Sequence, residues 1–298
     1  MLNNALALSF GNPVGFAGLI TAINPGNNIY TGAINLPEMH EHLYGQVRFS
    51  SGDRSARLVY LLPGADCQDK CVVSMLEYLC VKAGEWGALH VLAEIEETSP
   101  FFESFRYAGF TVFARQSVVC FENLHMVDIS KLKPGLWKPA TTMDEPAIRS
   151  LFQSLVPPLA QSAEPLPEFP PGGLVYRHRN ELVAYVDGIY GTHGIYLIPY
   201  IHPEVGNCEE LISDLLLRLP RFSRRVYLVI RSYQAWLEDV ISDFQTSISP
   251  HQAVMVKHLV SNKRVFSPSL HQQMLENRNA NPAIAPFSRY YSNENHSN

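Results

Sequence analysis

The sequence predicts an α/β (α+β) protein made of two tandem copies of one module, each a mixed, mostly antiparallel central sheet flanked by helices. Two observations carry this reading. The first is a repeated phrase: "VLAEIEETSPFFE" at 91–103 and "VYLVIRSYQAWLE" at 226–238 both run from a β-rich stretch into a short aromatic-led helix. The second is its nearly constant spacing. "YLLP" at 60–63 returns as "YLIP" at 196–199, and "RQSVV" at 115–119 returns as "HQAVM" at 251–255, each 136 residues on. Met75, Leu76 and Leu79 are answered by Leu211, Ile212 and Leu215 at that offset, and "LYGQV" at 43–47 resembles "LVAYV" at 182–186. So long a period means a duplicated domain rather than a solenoid unit.

Each copy reads in the same order. "LYGQVRFSS" and "SARLVYLLP" are strands joined by a Gly-Asp turn. A helix follows, with apolar residues at Val72, Met75, Leu76, Leu79 and 81–83, and Gly84 ends it. "ALHVLAEI" is the next strand. In "SPFFESFRYAG", Ser99 serves as a cap, Pro100 suits the first turn and Gly109 stops the helix. "FTVFARQSVVCF" closes the copy as its last strand. The second copy opens near Leu136, where Asp144 is an N-cap candidate and Pro146 lies just inside a helix. A proline-rich bridge then leads to a hairpin over "GLVYRHRN" and "ELVAYVDGIY". The first copy has no evident counterpart of that helix, so its opening reads as abbreviated. The expected domains are 1–125 and 136–261, joined through 123–135, with a disordered tail over 262–298.

Composition bounds the function. Hydrophobic content of 46% and charged content of 17% are those of a globular chain of 298 residues, long enough for two cores. A net charge of −5 argues against a nucleic-acid partner. No apolar run approaches the ~18 residues that span a bilayer, and the opening residues do not read as a signal peptide, so no membrane partner is expected. Five cysteines without a framework pattern fit a reducing, cytoplasmic compartment. Cys67 and Cys71 are four apart, but no second ligand pair follows, so no metal is expected.

The order strands, helix, strand, helix, strand, with "EWGALHVLAEIEE" and the "AGF" after the short helix, resembles the GNAT acetyltransferase superfamily. The second copy looks like a more diverged unit. The resemblance covers roughly residues 30–260 and implies an acetyl-CoA-dependent N-acetyltransferase that transfers an acyl group to an amine. In that family the strand before the first long helix splays from its neighbour and admits the pantetheine arm, while the helix N-terminus holds the pyrophosphate. Carried onto this chain, the cofactor lies along Leu61, Leu62, Gly64, Cys67, Gln68, Asp69, Lys70, Cys71 and Val72. The chain departs from the family here: Cys67, Lys70 and Val72 stand where the family has Arg or Gln, Gly, and Gly or Ala. Asp66 and Asp69 near the helix start favour the helix but oppose a phosphate.

For chemistry, Glu94 and Glu96 share a strand face near its end and are candidate bases, against the reading of Glu96 as a solvated terminus. The family's Tyr acid falls at Phe105; Tyr107 is displaced by two residues, about 200° around the helix, and is weighed as an acid against an ordinary surface tyrosine. In the second copy, Tyr185, Asp187, Tyr190, His193, Tyr196, Tyr200, His202, Arg231 and Tyr233 form either a polar pocket or the rim of an interface, and His193, between Gly191 and Gly194, fits a turn better than a site. Two functions follow: an N-acetyltransferase whose first copy binds acetyl-CoA and whose acceptor is a small-molecule or peptide amine, or a non-catalytic GNAT-like ligand- or partner-binding protein. Either fits a monomer or a homodimer.

Overall fold

A computed structural model describes residues 1–11, 27–36, 41–62, 69–121, 136–166, 173–219, 225–242, 244 and 246–259. The loop 63–68, the connection at 122–135, residues 167–172 of the proline-rich bridge and the tail 262–298 lie outside the described residues. The first half carries β1 (Asn27–Leu36), β2 (Glu41–Ser50), β3 (Ser55–Leu62), β4 (His90–Glu96) and β5 (Thr111–Phe121). Its helices are α1 (Asn4–Phe10), α2 (Asp69–Glu85) and α3 (Phe102–Tyr107). The second half carries β6 (Lys138–Pro139), β7 (Leu174–His178), β8 (Glu181–Tyr190), β9 (Gly194–Ile201), β10 (Arg225–Arg231), β11 (Thr246–Ile248) and β12 (Gln252–His258). Its helices are α4 (Glu145–Leu155), α5 (Pro158–Ala163), α6 (Cys208–Arg218) and α7 (Leu237–Ile241).

Among the described residues these twelve strands form one sheet in the order β1-β2-β3-β4-β12-β5-β10-β9-β8-β7-β6, with β11 also paired to β5. Apart from β6, the order is a palindrome of the two copies. β3 mirrors β9, β4 mirrors β10, and β12 mirrors β5. The strand pairs are antiparallel except β3/β4 and β9/β10, which are parallel. The fold is therefore mixed α/β with two copies related by a pseudo-twofold, as the repeat predicts.

One expectation is corrected. The sequence reading has "FTVFARQSVVCF" closing its own copy, but the closing strands are exchanged. β12 lies between β4 and β5, while β5 pairs with β10 of the other copy. Each copy supplies one closing strand to the sheet of the other, and the two closing strands pair with each other at the centre. The cores record the same exchange. Ala253 and Met255 of β12 join Leu58, Leu76, Leu79, Ile95 and Phe105 in the first core. Val119 and Phe121 of β5 join Leu197, Leu211, Leu215 and Leu228 in the second. Residues 1–261 accordingly form one compact unit.

The pseudo-dyad passes through one residue pair. Gln116 and Gln252, 136 positions apart, are directly opposite across β5 and β12, and Gln116 Nε2 donates to Gln252 Oε1 at 2.9 Å. Both are buried. The same register sets Glu96, Gln252, Gln116 and Arg231 in one row across the four central strands. Opposite residues share a face, so this row is a polar seam through the middle of an apolar sheet.

Local chemistry explains the flanking elements. α2 packs on β2 so closely that a Cβ on Gly45 would meet Leu79 and Met75 side-chain carbons at 2.9 Å, which accounts for the glycine in "LYGQV". α3 begins at Phe102, three residues beyond Ser99, and Gly109 follows it at φ +84°. Asp144 caps backward, accepting from the Thr141 N–H at 2.9 Å and hydroxyl at 2.7 Å, and pairs with Arg177 at 2.7 Å. α1 is an element the sequence reading omits. Asn3 caps it, its Oδ1 accepting from the Leu6 N–H at 3.1 Å.

Replacing Gln252 with Leu strips the acceptor from Gln116 Nε2 and from the Asn4 side chain, which also donates to it. We expect a loss of about 2 kcal/mol by chemical denaturation, with part of it recovered in the Gln116→Leu/Gln252→Leu double variant. Additive losses in the double variant would show that the pair is not coupled.

Candidate functional site

The site is built where parallel strands part. β3 and β4 are paired only at Ser55–His90, Ala56–Val91 and Arg57–Leu92. Beyond that point the facing backbone groups need other partners, because buried N–H and C=O groups left unpaired are costly. Leu2 supplies them. Its N–H donates to Val59 O at 2.9 Å, and its carbonyl accepts from the Glu94 N–H at 3.0 Å. Leu2 thus stands in the gap as a one-residue strand, 6% exposed. The next residues continue over the sheet: the Asn4 N–H donates to Glu94 Oε2 at 2.7 Å, and α1 runs on to the second half.

The second gap is closed differently. β9 and β10 are paired from Gly194–Arg225 to Leu197–Leu228. Past that point the Gln234 amide bridges the edge of β9: Oε1 accepts from the Ile201 N–H at 2.8 Å and Nε2 donates to Pro199 O at 2.7 Å. Pro199 has no N–H of its own to satisfy, which suits a strand edge. One side chain therefore does in the second half what a separate backbone segment does in the first.

Beside the first gap lies a balanced ionic cluster, with Glu94 and Arg231 buried and Arg57 and Glu164 half-buried. Glu164, just after α5, accepts from Arg57 Nη2 and Arg231 Nη2, both at 2.7 Å, and so links β3 of one copy to β10 of the other. Burial alone would raise the Glu164 carboxyl, but the flanking Arg231 and Arg57 charges bring it down to about 2. Glu94 behaves oppositely. Burial lifts it above the usual carboxylate range, and Arg231, Arg57 and the Asn4 N–H pull it only partly back. A carboxyl held that way is suited to proton transfer nearer neutral pH.

The sequence-predicted residues distribute as follows. Glu94 is buried at the gap and Glu96, at the end of β4, is exposed. Tyr107 is 74% exposed on α3, while Phe105, at the family's tyrosine position, is fully buried. Leu61 is buried and Leu62 exposed at the end of β3. At the start of α2, Asp69 and Lys70 are exposed, Cys71 is half-buried and Val72 is buried. Asp69 accepts from the Ser104 hydroxyl at 2.6 Å and so ties α2 to α3. Gly64, Cys67 and Gln68 lie outside the described residues. In the second copy Tyr185 and Tyr200 are buried and stacked, with centroids 5.9 Å apart, and Tyr196 is buried beneath α1. Sequence reasoning missed Leu2, Asn4, Glu164 and Gln234; the paired Asn3-Asn4 before "ALAL" was the available capping signal.

A polar groove of about 660 Å³ lies elsewhere, between α4 and the β7–β8 turn, with Ser150, Arg177, His178, His202 and Glu204 in its wall. Of the residues the sequence suggests for a polar pocket in the second copy, His202 lines it, while none of the candidate catalytic or cofactor residues does, and its charges are of both signs. No helix among the described residues is long and apolar enough to cross a membrane.

Two splayed parallel pairs, each with its long helix between the two strands and its short helix after the second, give the tandem mixed α/β fold of GNAT-like kind expected from the sequence. No family model matches the sequence, and no curated protein matches it. Solved structures align with it at low identity. A GCN5-related N-acetyltransferase from Sphaerobacter thermophilus does so at 14% identity and a TM-score of 0.49, over 83% of this chain and 87% of that one. Another, from Kribbella flavida, aligns at 14% and 0.49, over 82% and 96%. A tandem GNAT protein from the clavulanic acid biosynthesis pathway aligns at 12% and 0.48, over 86% and 93%. At such identities the likeness concerns the fold alone.

The cluster makes a pH prediction. Glu164 in the folded chain titrates below its ordinary 4.5, so its stabilisation is complete above that value and is lost as pH falls toward about 2. Allowing for the 20% exposure of its side chain, the contribution at neutral pH is on the order of 2 kcal/mol. Glu94, shifted upward, opposes this trend at higher pH. We expect Glu164→Gln to lower stability at pH 7 and to flatten the acid limb between pH 4.5 and 2, measured by urea denaturation at stepped pH. An unchanged acid limb would contradict the assignment.

Proposed function

We propose that the chain is a GNAT-type acyltransferase whose first half binds an acyl-CoA along the gap between β3 and β4 and transfers the acyl group to an amine. One observation supports this above the others: the gap edges present Val59 O and Glu94 N–H, which here hold an extended amide backbone. A pantetheine arm carries the same amide groups and meets the same two partners. The second gap, closed by a side chain of its own half, is not proposed to bind cofactor.

In this reading Glu94 is the base. Its lifted carboxyl, once free of the Asn4 N–H, accepts a proton from the acceptor ammonium, and the resulting neutral amine attacks the thioester carbonyl. The tetrahedral intermediate then expels the thiolate of CoA, which takes up the proton that the attacking nitrogen loses as the amide forms. Lys70, exposed at the start of α2, offers a cation for the phosphates. Tyr107 is kept as a candidate acid and Glu96 as a second carboxylate at the mouth.

A second reading, a GNAT-like protein without CoA binding, is favoured by one fact: both gaps are filled by the chain itself.

Calorimetric titration of the full chain with acetyl-CoA separates the two. The first reading expects one saturable site per chain, weakened roughly five-fold or more by Lys70→Glu through lost charge attraction. It also expects thiol release with a suitable amine, reduced at least about 100-fold by Glu94→Gln. Absence of binding, in the wild type and in variants that loosen residues 1–11, supports the second.

A further inference from the structure

The two plugs differ in kind, and that difference carries an inference. Gln234 belongs to the 3-10 turn Ser232–Gln234, continuous with β10, so it cannot leave its gap without disturbing that strand. Leu2 belongs to a separate segment tied to the body at two ends. At the near end are the Leu2 bonds to Val59 and Glu94 and the Asn4 bonds to Glu94 and Gln252. At the far end the Ser9 carbonyl accepts from the His193 N–H at 2.8 Å. Here Gly191 is required: a Cβ at that position would lie 1.9 Å from Ser9 O. Between the ends, Leu6 packs with Val59 and Tyr60, and Ala5 and Leu8 pack with Val118, Tyr196 and Val229.

We propose that residues 1–11 are the resident ligand of the β3/β4 gap, a detachable strap that occupies the gap in alternation with acyl-CoA. The inference rests on the acyl-CoA reading above and adds to it how the site opens. Three features favour release as a unit. α1 is seven residues long, too short to persist once undocked, so the segment is either seated or unfolded. Its bonds in the gap are the ones a pantetheine amide replaces, so exchange leaves Val59 O and Glu94 N–H satisfied. The bond from Asn4 also occupies the Glu94 carboxylate, so a single departure opens the gap and frees the base together. The strap crosses the pseudo-dyad, with its near end on the first half and its far end on the second. A contact at Ser9 therefore biases a gap at the other end of the segment, which is the form a coupling between two places takes.

The test uses the full chain. Hydrogen exchange is followed by mass spectrometry with and without saturating acetyl-CoA. We expect the amides of residues 5–10 to exchange at least about ten-fold faster in the complex, while those of β10 are unchanged. Two substitutions approach the strap from opposite ends. Gly191→Ala forces Ser9 off its seat without touching the gap, and Leu2→Pro removes the N–H given to Val59 O. Each is expected to tighten acetyl-CoA binding by about ten-fold or more, because the competing occupant is weakened. Saturable binding with unchanged exchange at residues 5–10 overturns the strap and leaves the acyl-CoA reading standing. No binding to the wild type or to either variant overturns both. The exchange arm needs no variant and decides the matter if a substitution prevents folding.

Discussion

When two parallel strands part inside a protein, the backbone groups between them lose their partners, and something else must supply bonds in their place. The chain faces this requirement twice, because the module that contains the parting strands is present twice. In one half the answer is a stretch of backbone from elsewhere, and in the other it is a side-chain amide. Much of the central architecture follows from those two solutions. α1 is held over the sheet because Leu2 is needed in the first gap. Gln116, Gln252 and Arg231 of the polar seam are buried on that face with Glu94, one same-face step along β4 from Glu96, and Glu164 bridges Arg231 to Arg57.

Strand exchange is the second consequence of duplication. Each copy makes one closing strand and gives it to the sheet of the other, so the two cores are completed by residues from both halves. Such a unit has no cleavage plane between copies. Its pseudo-symmetry also pairs α1 with α5, whose Ala163 carbonyl accepts from the Ser55 hydroxyl much as the Ser9 carbonyl accepts from His193. The copies differ in α4 and β6, which have no counterpart among the described residues of the first half, and at the gaps, the place where function is expected to reside.

The sequence made the repeat plain, because strand and helix phrases are local and survive divergence. The match of "RQSVV" with "HQAVM" already contained the Gln116–Gln252 pair. What it did not disclose was the partner of each strand. Alternation specifies a strand face, but pairing across more than 100 residues is decided by tertiary packing. α1 was missed because seven residues carry too little periodic signal, and its stability comes from docking. Glu94 was singled out for its place in "HVLAEIEE", yet its titration is lifted by burial and pulled partly back by Arg231 and Arg57, an environment that no local reading supplies. Gln234 sits in "SYQAW" with nothing nearby to mark it as a bridge.

The first gap is satisfied by the chain itself, and the Glu94 amide reports on that directly. Site-resolved hydrogen exchange on the ligand-free protein, by NMR, compares Glu94 with its strand neighbours Leu92 and Ala93. With the Leu2 carbonyl accepting from it, Glu94 exchanges as slowly as they do. Fast exchange at Glu94 beside slow neighbours would mean that the gap stands open in solution, and the occupied cleft described here would be contradicted.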